Sequence, residues 1–596
     1  MAAVLQRAGL PEVRVLLEYN PYQAGHARAD VILAGVGSCG HDTYVVCELK
    51  QWSSCQLDPR DGRVRGTGSS YESSAGLQDP YEQARNYAQF IRNYTDGLHD
   101  EQTVHVHSLA YLHNSTATSA SSLLTADWQG DRRVFTGDGS GEQALVAQLQ
   151  TWFQPVADHD AAARRLLEAG YRQAPALLEA AGRILADPAH YPLSDEQQDI
   201  YAQILHAIEQ ALSPNADRSR AVIAVKGGPG TGKTWMAMHL LGANARAGRQ
   251  VSYATNSALL RSALGKKARE GMRILGRPVD ALITSARTYW DPARWTSPLD
   301  VLIVDEAHRI ATYTVRTGHA NAKAIQAQLE AGKITQLFEL KKSARVLVVF
   351  IDEDQSITPK DDCGLGDLTE VADRTGASYE EFELTEQHRS GGSDVYEAWV
   401  DAWLDGRPIV WRDQENYGVQ LANSPQQLER LTFDPTAPGA KTGARLLAGF
   451  CWTWQKWPDA ARNIDDIPYD IEIDGWRKRW NLRQNIDGYP KDSLWASTPS
   501  GAEQVGSVFT AQGFEFGRCG VIMGADFRWE PAAHRWIVDV SATRYGALAT
   551  AARSDSDFED LIRNHYRVLL TRAMAGTVIY STDAATRQKL REMINP

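Results

Sequence analysis

The stretch AVIAVKGGPGTGKTWMAMHLLG, residues 221–242, limits the architecture of this chain more than any other. A short apolar run reads as a buried strand, a glycine-rich turn follows, and a helical pattern closes the segment. Within it Gly227, Gly228, Pro229, Gly230, Thr231, Gly232, Lys233 and Thr234 match GxxxxGK[ST], in the strand–turn–helix setting that this motif requires. Glycines let backbone N–H groups close around phosphate oxygens, and the dipole of the following helix favours the negative charge. Lys233 is expected to reach the β- and γ-phosphates of ATP, and Thr234 to hold Mg²⁺. A strand that feeds a helix in this way belongs to a parallel sheet with helices on its faces, so the chain is expected to be an α/β protein.

Downstream, VLIVDEAH sets two acids at the carboxyl end of another apolar strand, where parallel sheets hold their ligands. Asp305 is suited to complete the Mg²⁺ shell, and Glu306 to orient or deprotonate an attacking water. His308 serves either coupling of hydrolysis to movement or a structural hydrogen bond. These motifs, in this order, point to NTP hydrolysis.

A length of 596 residues corresponds to roughly three or four domains. Residues 1–140 mix short strands with one helix, DPYEQARNYAQFIRNY. Residues 141–189 are Ala/Leu/Gln-rich and read as a helical connector. From 190 to 356 apolar strands (AVIAVKGG, VSYATN, DVLIVDEAH, ARVLVVFIDEDQ) alternate with helical segments, and from 357 to 596 further strands follow. The net charge of −12 argues against a broad nucleic-acid-coating surface, while leaving room for a local basic groove. The six cysteines form no CxxC pair and no Cys/His cluster along the sequence, which speaks against disulfides or structural zinc and for a reducing cytoplasm. No apolar run is long enough to cross a bilayer, and the first residues lack the basic and apolar regions of a signal peptide.

Further short motifs place the ATPase in a larger frame. LSDEQ carries Gln197, ATNSALLRSAL carries Asn256, and IDEDQ carries Asp352 and Gln355. LTEQHRSGG carries Arg389, VFTAQGFEF carries Gln512, Gly513 and Glu515, and YRVLLTRAM carries Arg572. Their order resembles superfamily 1 helicases, and more closely the Schlafen-group-3-like DNA/RNA helicase domain family, from about Tyr191 to Tyr580. The resemblance implies two RecA-like lobes with ATP in the cleft between them. It assigns adenine reading to Gln197, nucleic-acid contact to the Asn256 element, and γ-phosphate sensing to the Asp352–Gln355 element. Gly513 belongs to the nucleotide-binding set, and Glu515 would accept a hydrogen bond from the ribose. Arg389 and Arg572 would reach from the second lobe to phosphates held by the first, stabilising transition-state charge. Gly517 stands where the family commonly has an acid.

One segment outside that frame also carries chemistry. In ADVILAGVGSCGHDTYVVCELKQW, residues 29–52, two strands fold about a turn near Cys39, which sets Asp30 opposite Glu48 and Lys50. Alternation puts Glu48 and Lys50 on one face and Leu49 on the other. An acid on one strand and E-x-K on the next resembles the PD-(D/E)xK nuclease fold, also termed restriction-endonuclease-like. Gln83 and Tyr87, on one helix face at i, i+4, resemble the QxxxY element of RecB-type nucleases. The resemblance implies that Asp30 and Glu48 bind Mg²⁺ or Mn²⁺ and that Lys50 positions water or offsets phosphate charge. Glu18, on a preceding segment read as helical, is a further acid to consider. The plain alternative is a surface ion pair worth ~0–1 kcal/mol. Trp452, Trp454, Trp457, Trp476 and Trp480 lie among basic residues, and core packing is preferred for them over base stacking.

The whole reads as a cytoplasmic nuclease–helicase fusion, an ATP-driven translocase with a metal-dependent nuclease at its N-terminus. DNA is favoured over RNA as its partner, and defence against foreign DNA over repair. A homo-oligomer or partner proteins of a defence system would fit that role. The alternatives are an RNA-directed enzyme, or a nucleotide-gated switch that controls a nuclease without translocation.

Overall fold

The strand pattern of the first 140 residues folds as a five-stranded sheet in the order Arg14–Tyr19, Ala29–Val36, Asp42–Lys50, Val104–Leu112, Val134–Thr136. The first three strands run antiparallel, and the last two join in parallel. The parallel step needs a crossover, and the helix Pro80–Tyr94 lies on that path and packs against both strands it links. Asp79 caps this helix by accepting from the N–H groups of Tyr81 and Glu82, and Pro80 takes the first turn, where no N–H is needed. The computed structural model describes residues 1–19, 28–57, 64–67, 77–95, 97–98, 103–125, 132–169, 184–185, 193–214, 220–262, 264–265, 282–289, 298–310, 327, 330–331, 335–358, 363–386, 394–407, 409–412, 417–440, 443–455, 457, 461, 463–486, 488–545 and 555–594.

Alternation along the strands sorts the two faces. Val31, Leu33, Val45, Cys47, Leu109 and Tyr111 share one face and pack on Leu145, Leu149 and Trp152 of the helix Gly139–Trp152. That helix was expected to open a connector at residue 141. It belongs instead to the core of the first sheet, because its apolar stripe docks there. The chain divides into two compact units, Met1–Ala174 with Asp187–His206, and Pro175–Ala186 with Ala207–Pro596. Glu18 lies on the edge strand Arg14–Tyr19 and not on a helix. It has φ of +50°, is exposed, and is skipped in the register between Leu17–Val31 and Tyr19–Ala29.

The second unit holds two parallel sheets. One has six strands in the order Ile283–Thr284, Val251–Thr255, Leu299–Asp305, Ala344–Ile351, Ala221–Gly227, Ser378–Leu384. Its inner strands are buried along most of their length, as strands covered on both faces must be. The last strand, SYEEFEL, pairs with Ala221–Gly227, so this sheet continues past the boundary expected at residue 356. Its charged alternation is that of a half-exposed sheet edge. The other sheet has five strands, Gly418–Leu421, Ala573–Ser581, Phe516–Met523, Ala444–Ala448 and Val505–Gly506, also parallel. Trp476 and Trp480 are buried beside it; Trp476 donates to Glu429 Oε2 at 2.7 Å, and Trp480 packs on Phe450 with ring centroids 5.0 Å apart. These two rings serve packing. Among the described residues no helix is long and apolar enough to cross a membrane.

Candidate functional site

The glycine-rich turn closes on itself as the motif requires. Gly230 and Gly232 have φ of +79° and +82°, a left-handed conformation that any side chain would strain. Thr231 Oγ1 donates to Gly228 O at 3.0 Å, holding the loop in a curl. Lys233 Nζ donates to Gly227 O at 2.6 Å, to Gly228 O at 2.7 Å and to Asp352 Oδ2 at 3.2 Å. Gln355 Nε2 donates to the same Asp352 oxygen at 2.5 Å. The lysine thus stands in the mouth of the loop with its donors engaged on acceptors that phosphate oxygens would replace.

Beside it, Thr234 Oγ1 donates to Asp305 Oδ2 at 2.6 Å, and Tyr253 donates to the same oxygen at 2.8 Å. A hydroxyl and a carboxylate held together on a strand end and a helix start are the hard oxygen donors that Mg²⁺ takes, so the pair fits that ion. Burial raises the Asp305 pKa, and the neighbouring Glu306 charge raises it further. Glu306 goes the other way. Burial opposes its charge, yet contact with His308 and the charges of His308, Lys233 and Arg309 hold it below the usual carboxylate range. Glu306 has φ of +54°, where the chain leaves the strand and enters the short turn Ala307–Arg309.

A residue just ahead of the strand Phe516–Met523 reaches this carboxylate's partner. His308 Nε2 lies 3.0 Å from Glu306 Oε2 and 3.1 Å from Gln512 Nε2, and Gln512 also donates to Gln355 O at 3.1 Å. One imidazole nitrogen faces both the glutamate and the amide, so the proton on His308 and the orientation of Gln512 are set together. All three side chains are buried, with Gln512 and His308 wholly so.

The N-terminal hairpin brings a second group together. Val31 pairs with Cys47, which continues to Asp30 opposite Glu48. Asp30 Oδ2 accepts from the Leu49 N–H at 2.7 Å, and the Asp30 N–H donates to Glu48 Oε1 at 3.5 Å. Lys50 Nζ donates to Glu48 Oε2 at 3.0 Å and to Gln83 Oε1 at 3.2 Å. Gln83 Nε2 then donates to the Tyr87 hydroxyl at 3.4 Å, and Tyr87 donates to Asp195 Oδ2. Glu48 is 1% exposed, and burial lifts its pKa to about 8, with Lys50 opposing the rise and Asp30 adding to it. A surface ion pair would not be buried like this. Two carboxylates with one lysine form an oxygen-rich donor set, and that set fits Mg²⁺ or Mn²⁺.

A family model described as Schlafen group 3, DNA/RNA helicase domain, matches residues 220–583. The chain belongs to that family. The match takes in both parallel sheets, whereas the hairpin and Gln197 lie ahead of it. An uncharacterized protein of Saccharomyces cerevisiae is 24% identical over 317 residues, which is 49% of this chain and 64% of that protein. The match therefore spans less than two thirds of the relative. Solved structures similar to part of the chain include the arterivirus nonstructural protein 10 helicase, at 13% identity, TM-score 0.27, 66% of this chain and 65% of that one. The Pif1 helicase of Candida albicans aligns at 11% identity, TM-score 0.27, 67% of this chain and 96% of that one. Scores this low say nothing about activity.

Within the Schlafen group 3 helicase domain the other expected residues are placed as follows. Gly513 has φ of +83° and lies against Leu260, and Glu515 is half-buried. Asn256 Nδ2 donates to Arg309 O at 3.0 Å. Arg572 is buried, and its Nε donates to Val568 O at 2.9 Å in the preceding helix turn. Arg389 lies outside the described residues. Ahead of the domain, Gln197 Oε1 accepts from the Ser194 N–H at 3.1 Å and closes the start of the helix Asp195–Leu212. Asp195 carried no signal of its own in LSDEQ, where any helix start takes an acid. Only the fold sets it against Tyr87.

Proposed function

We propose that the chain is an ATP-driven nucleic-acid translocase of the helicase class whose N-terminal unit is a metal-dependent nuclease. The observation that carries the nuclease half is the hydrogen-bonded series Asp30–Glu48–Lys50–Gln83–Tyr87, which runs from the ends of two paired strands to the helix Pro80–Tyr94, with Glu48 and Tyr87 buried and the other three half-buried. Three antiparallel strands followed by a helix and a parallel strand also agree with a PD-(D/E)xK core. Asp30 and Glu48 would hold Mg²⁺ or Mn²⁺, which supplies charge neutralisation at the scissile phosphate. Lys50, steadied by Glu48 and Gln83, offers an ammonium to the phosphate or to the attacking water. In the helicase core Lys233 exchanges its loop carbonyls for phosphate oxygens, and Glu306, kept ionised, aligns water for attack on the γ-phosphate. By resemblance to other nuclease–helicase fusions, the substrate is DNA and the role is degradation of foreign DNA. The test is ATP turnover without nucleic acid and with single-stranded DNA, duplex DNA and RNA. Strong stimulation by DNA is expected, strong stimulation by RNA alone would reassign the substrate, and indifference to all three contradicts translocation.

One observation favours a second reading, in which nucleotide binding gates the nuclease. The helix Asp195–Leu212 carries Gln197, the expected adenine reader, two residues from Asp195, which accepts from Tyr87. On that helix Gln198 also accepts from Asn86 Nδ2 at 2.8 Å, and Asn86 lies on the helix that bears Gln83 and Tyr87. A shift of the helix start on nucleotide binding would reach Lys50 through Tyr87 and Gln83. Nuclease activity that rises or falls with a non-hydrolysable ATP analogue alone supports gating. Activity that changes only under turnover supports translocation.

A further inference from the structure

The hairpin has a second cluster at its other end. Cys39 and His41 stand in the turn between the strands Ala29–Val36 and Asp42–Lys50, and His105 is the second residue of the neighbouring strand Val104–Leu112. The Cys39 thiol and one ring nitrogen from each histidine all lie within 4.8 Å of one another. The topology explains the meeting. Thr43 pairs with His105, so the turn that carries Cys39 and His41 lies beside the start of the strand that bears His105. The His41 and His105 rings stack with centroids 5.8 Å apart and planes at 21°.

The turn is held by the backbone before any ligand arrives. Gly37 donates to His41 O at 2.7 Å, Gly40 donates to Gly37 O at 2.8 Å, and Ser38 donates to Trp152 O at 2.9 Å. Gly40 takes φ of +85°, which allows the chain to reverse between Cys39 and His41. Two of the three donors therefore sit on a fixed loop, and the third on a sheet strand.

We propose that Cys39, His41 and His105 bind one transition-metal ion, with Zn²⁺ as the first candidate. A thiolate and two imidazoles are borderline-to-soft donors that select Zn²⁺, Co²⁺, Ni²⁺ or copper over Mg²⁺. Tetrahedral zinc with N at about 2.0 Å and S at about 2.3 Å sets its ligands roughly 3.3–3.6 Å apart, so small side-chain rotations close the cluster on the ion. Three protein ligands leave one position open. Cys39 and His41 are exposed, so that position faces water or a donor from outside. Binding joins the turn to Val104–Leu112 and so clamps the E-x-K strand to its parallel neighbour. Glu48 is seven residues from His41 along the strand, about 23 Å at the usual rise, so this site does not share ligands with the carboxylate patch. It stands whether or not that patch is a nuclease.

The test uses the full chain, stripped with chelator, desalted and loaded with Zn²⁺ or Co²⁺. One equivalent of zinc should be retained, and Co²⁺ should give a thiolate charge-transfer band in the near ultraviolet. Cys39→Ser should abolish the band, and His41→Ala and His105→Ala should each weaken zinc binding by more than the roughly 10–100-fold that loss of a ligand's hydrogen-bond partner costs. Bound zinc should also protect Cys39, the one exposed cysteine among those described, from alkylation. Asp30→Ala and Glu48→Ala should leave zinc stoichiometry unchanged. The proposal is overturned if Cys39→Ser and His105→Ala bind zinc as the parent does, or if zinc is lost in Asp30→Ala instead. Circular dichroism and ATP turnover of each variant separate ligand loss from misfolding, because a folded variant that still binds zinc counts against the site.

Discussion

Glu306 and Glu48 are both buried glutamates at strand ends, each beside a nitrogen base, yet the two environments treat the charge in opposite ways. Around Glu306, His308, Lys233 and Arg309 outweigh burial and keep the carboxylate ionised. Around Glu48 burial dominates, Lys50 opposes it, Asp30 adds a like charge, and the pKa climbs to about 8. The first site is charge-balanced by the protein alone, as suits a residue that must be ready to align water. The second is short of positive charge, and the divalent cation of the proposed function would supply what is missing. The difference teaches that similar burial leaves one carboxylate charged and favours the neutral form of the other, which under the proposed function suits the first to aligning water and the second to holding a metal.

The largest expected effect lies on the balanced side. Lys233→Ala and Glu306→Gln should each lower ATP turnover on the order of 100–1,000-fold, measured as phosphate release under saturating nucleic acid. Cleavage at the hairpin should survive both changes if the two sites are separate centres. Near-normal turnover in either variant would break the comparison from this end.

A smaller effect should appear in the pH dependence of the metal-free protein. Folding raises Glu48 from its ordinary value of 4.5 to about 8, so the fold accommodates the uncharged form. That contribution to stability is full below pH 4.5, is lost as pH rises toward 8, and stays lost above. Glu48→Gln should therefore flatten the fall in Tm across this window, and Mg²⁺ should bind more tightly as pH rises through it. Identical Tm–pH profiles for the parent and Glu48→Gln would remove the charge imbalance on which the metal assignment rests.

Smaller again are the couplings. Asp195→Ala removes the acceptor of the Tyr87 hydroxyl and should reduce the response of cleavage to ATP while leaving ATP turnover intact. Gln512→Ala breaks the bridge between His308 and the Gln355 carbonyl, and should cut nucleic-acid stimulation of turnover by roughly fivefold, a coupling on the order of 1 kcal/mol. A Gln512→Ala enzyme with the parent's stimulation would return that contact to simple packing.

What was legible in the sequence follows from how local each feature is. The phosphate loop is contiguous, so GGPGTGKT with its flanking strand and helix specified strand, turn and helix together. The Asp30–Glu48 pairing could be counted because a hairpin maps residues about its turn, and the counting agrees with the observed register. The helix Gly139–Trp152 looked like a connector because an Ala/Leu/Gln pattern reads the same whether its stripe docks or not. SYEEFEL escaped notice as a sheet strand because a charged edge lacks the apolar run of the inner strands. Cys39, His41 and His105 read as scattered because a parallel pairing joins strands far apart in the chain, and no spacing rule spans that gap. Asp195 and the His308–Gln512 contact depend on packing between elements and were invisible for the same reason.

The most direct measurement is cleavage of plasmid and oligonucleotide DNA by the parent and by Glu48→Ala, with Mg²⁺, with Mn²⁺ and with EDTA, run beside ATP turnover on the same preparations. Cleavage should occur with either metal, vanish in EDTA and vanish in Glu48→Ala, while ATP turnover by Glu48→Ala matches the parent. Cleavage that persists in EDTA or in Glu48→Ala would contradict a metal-dependent centre at the hairpin and leave the buried carboxylates as a structural pair.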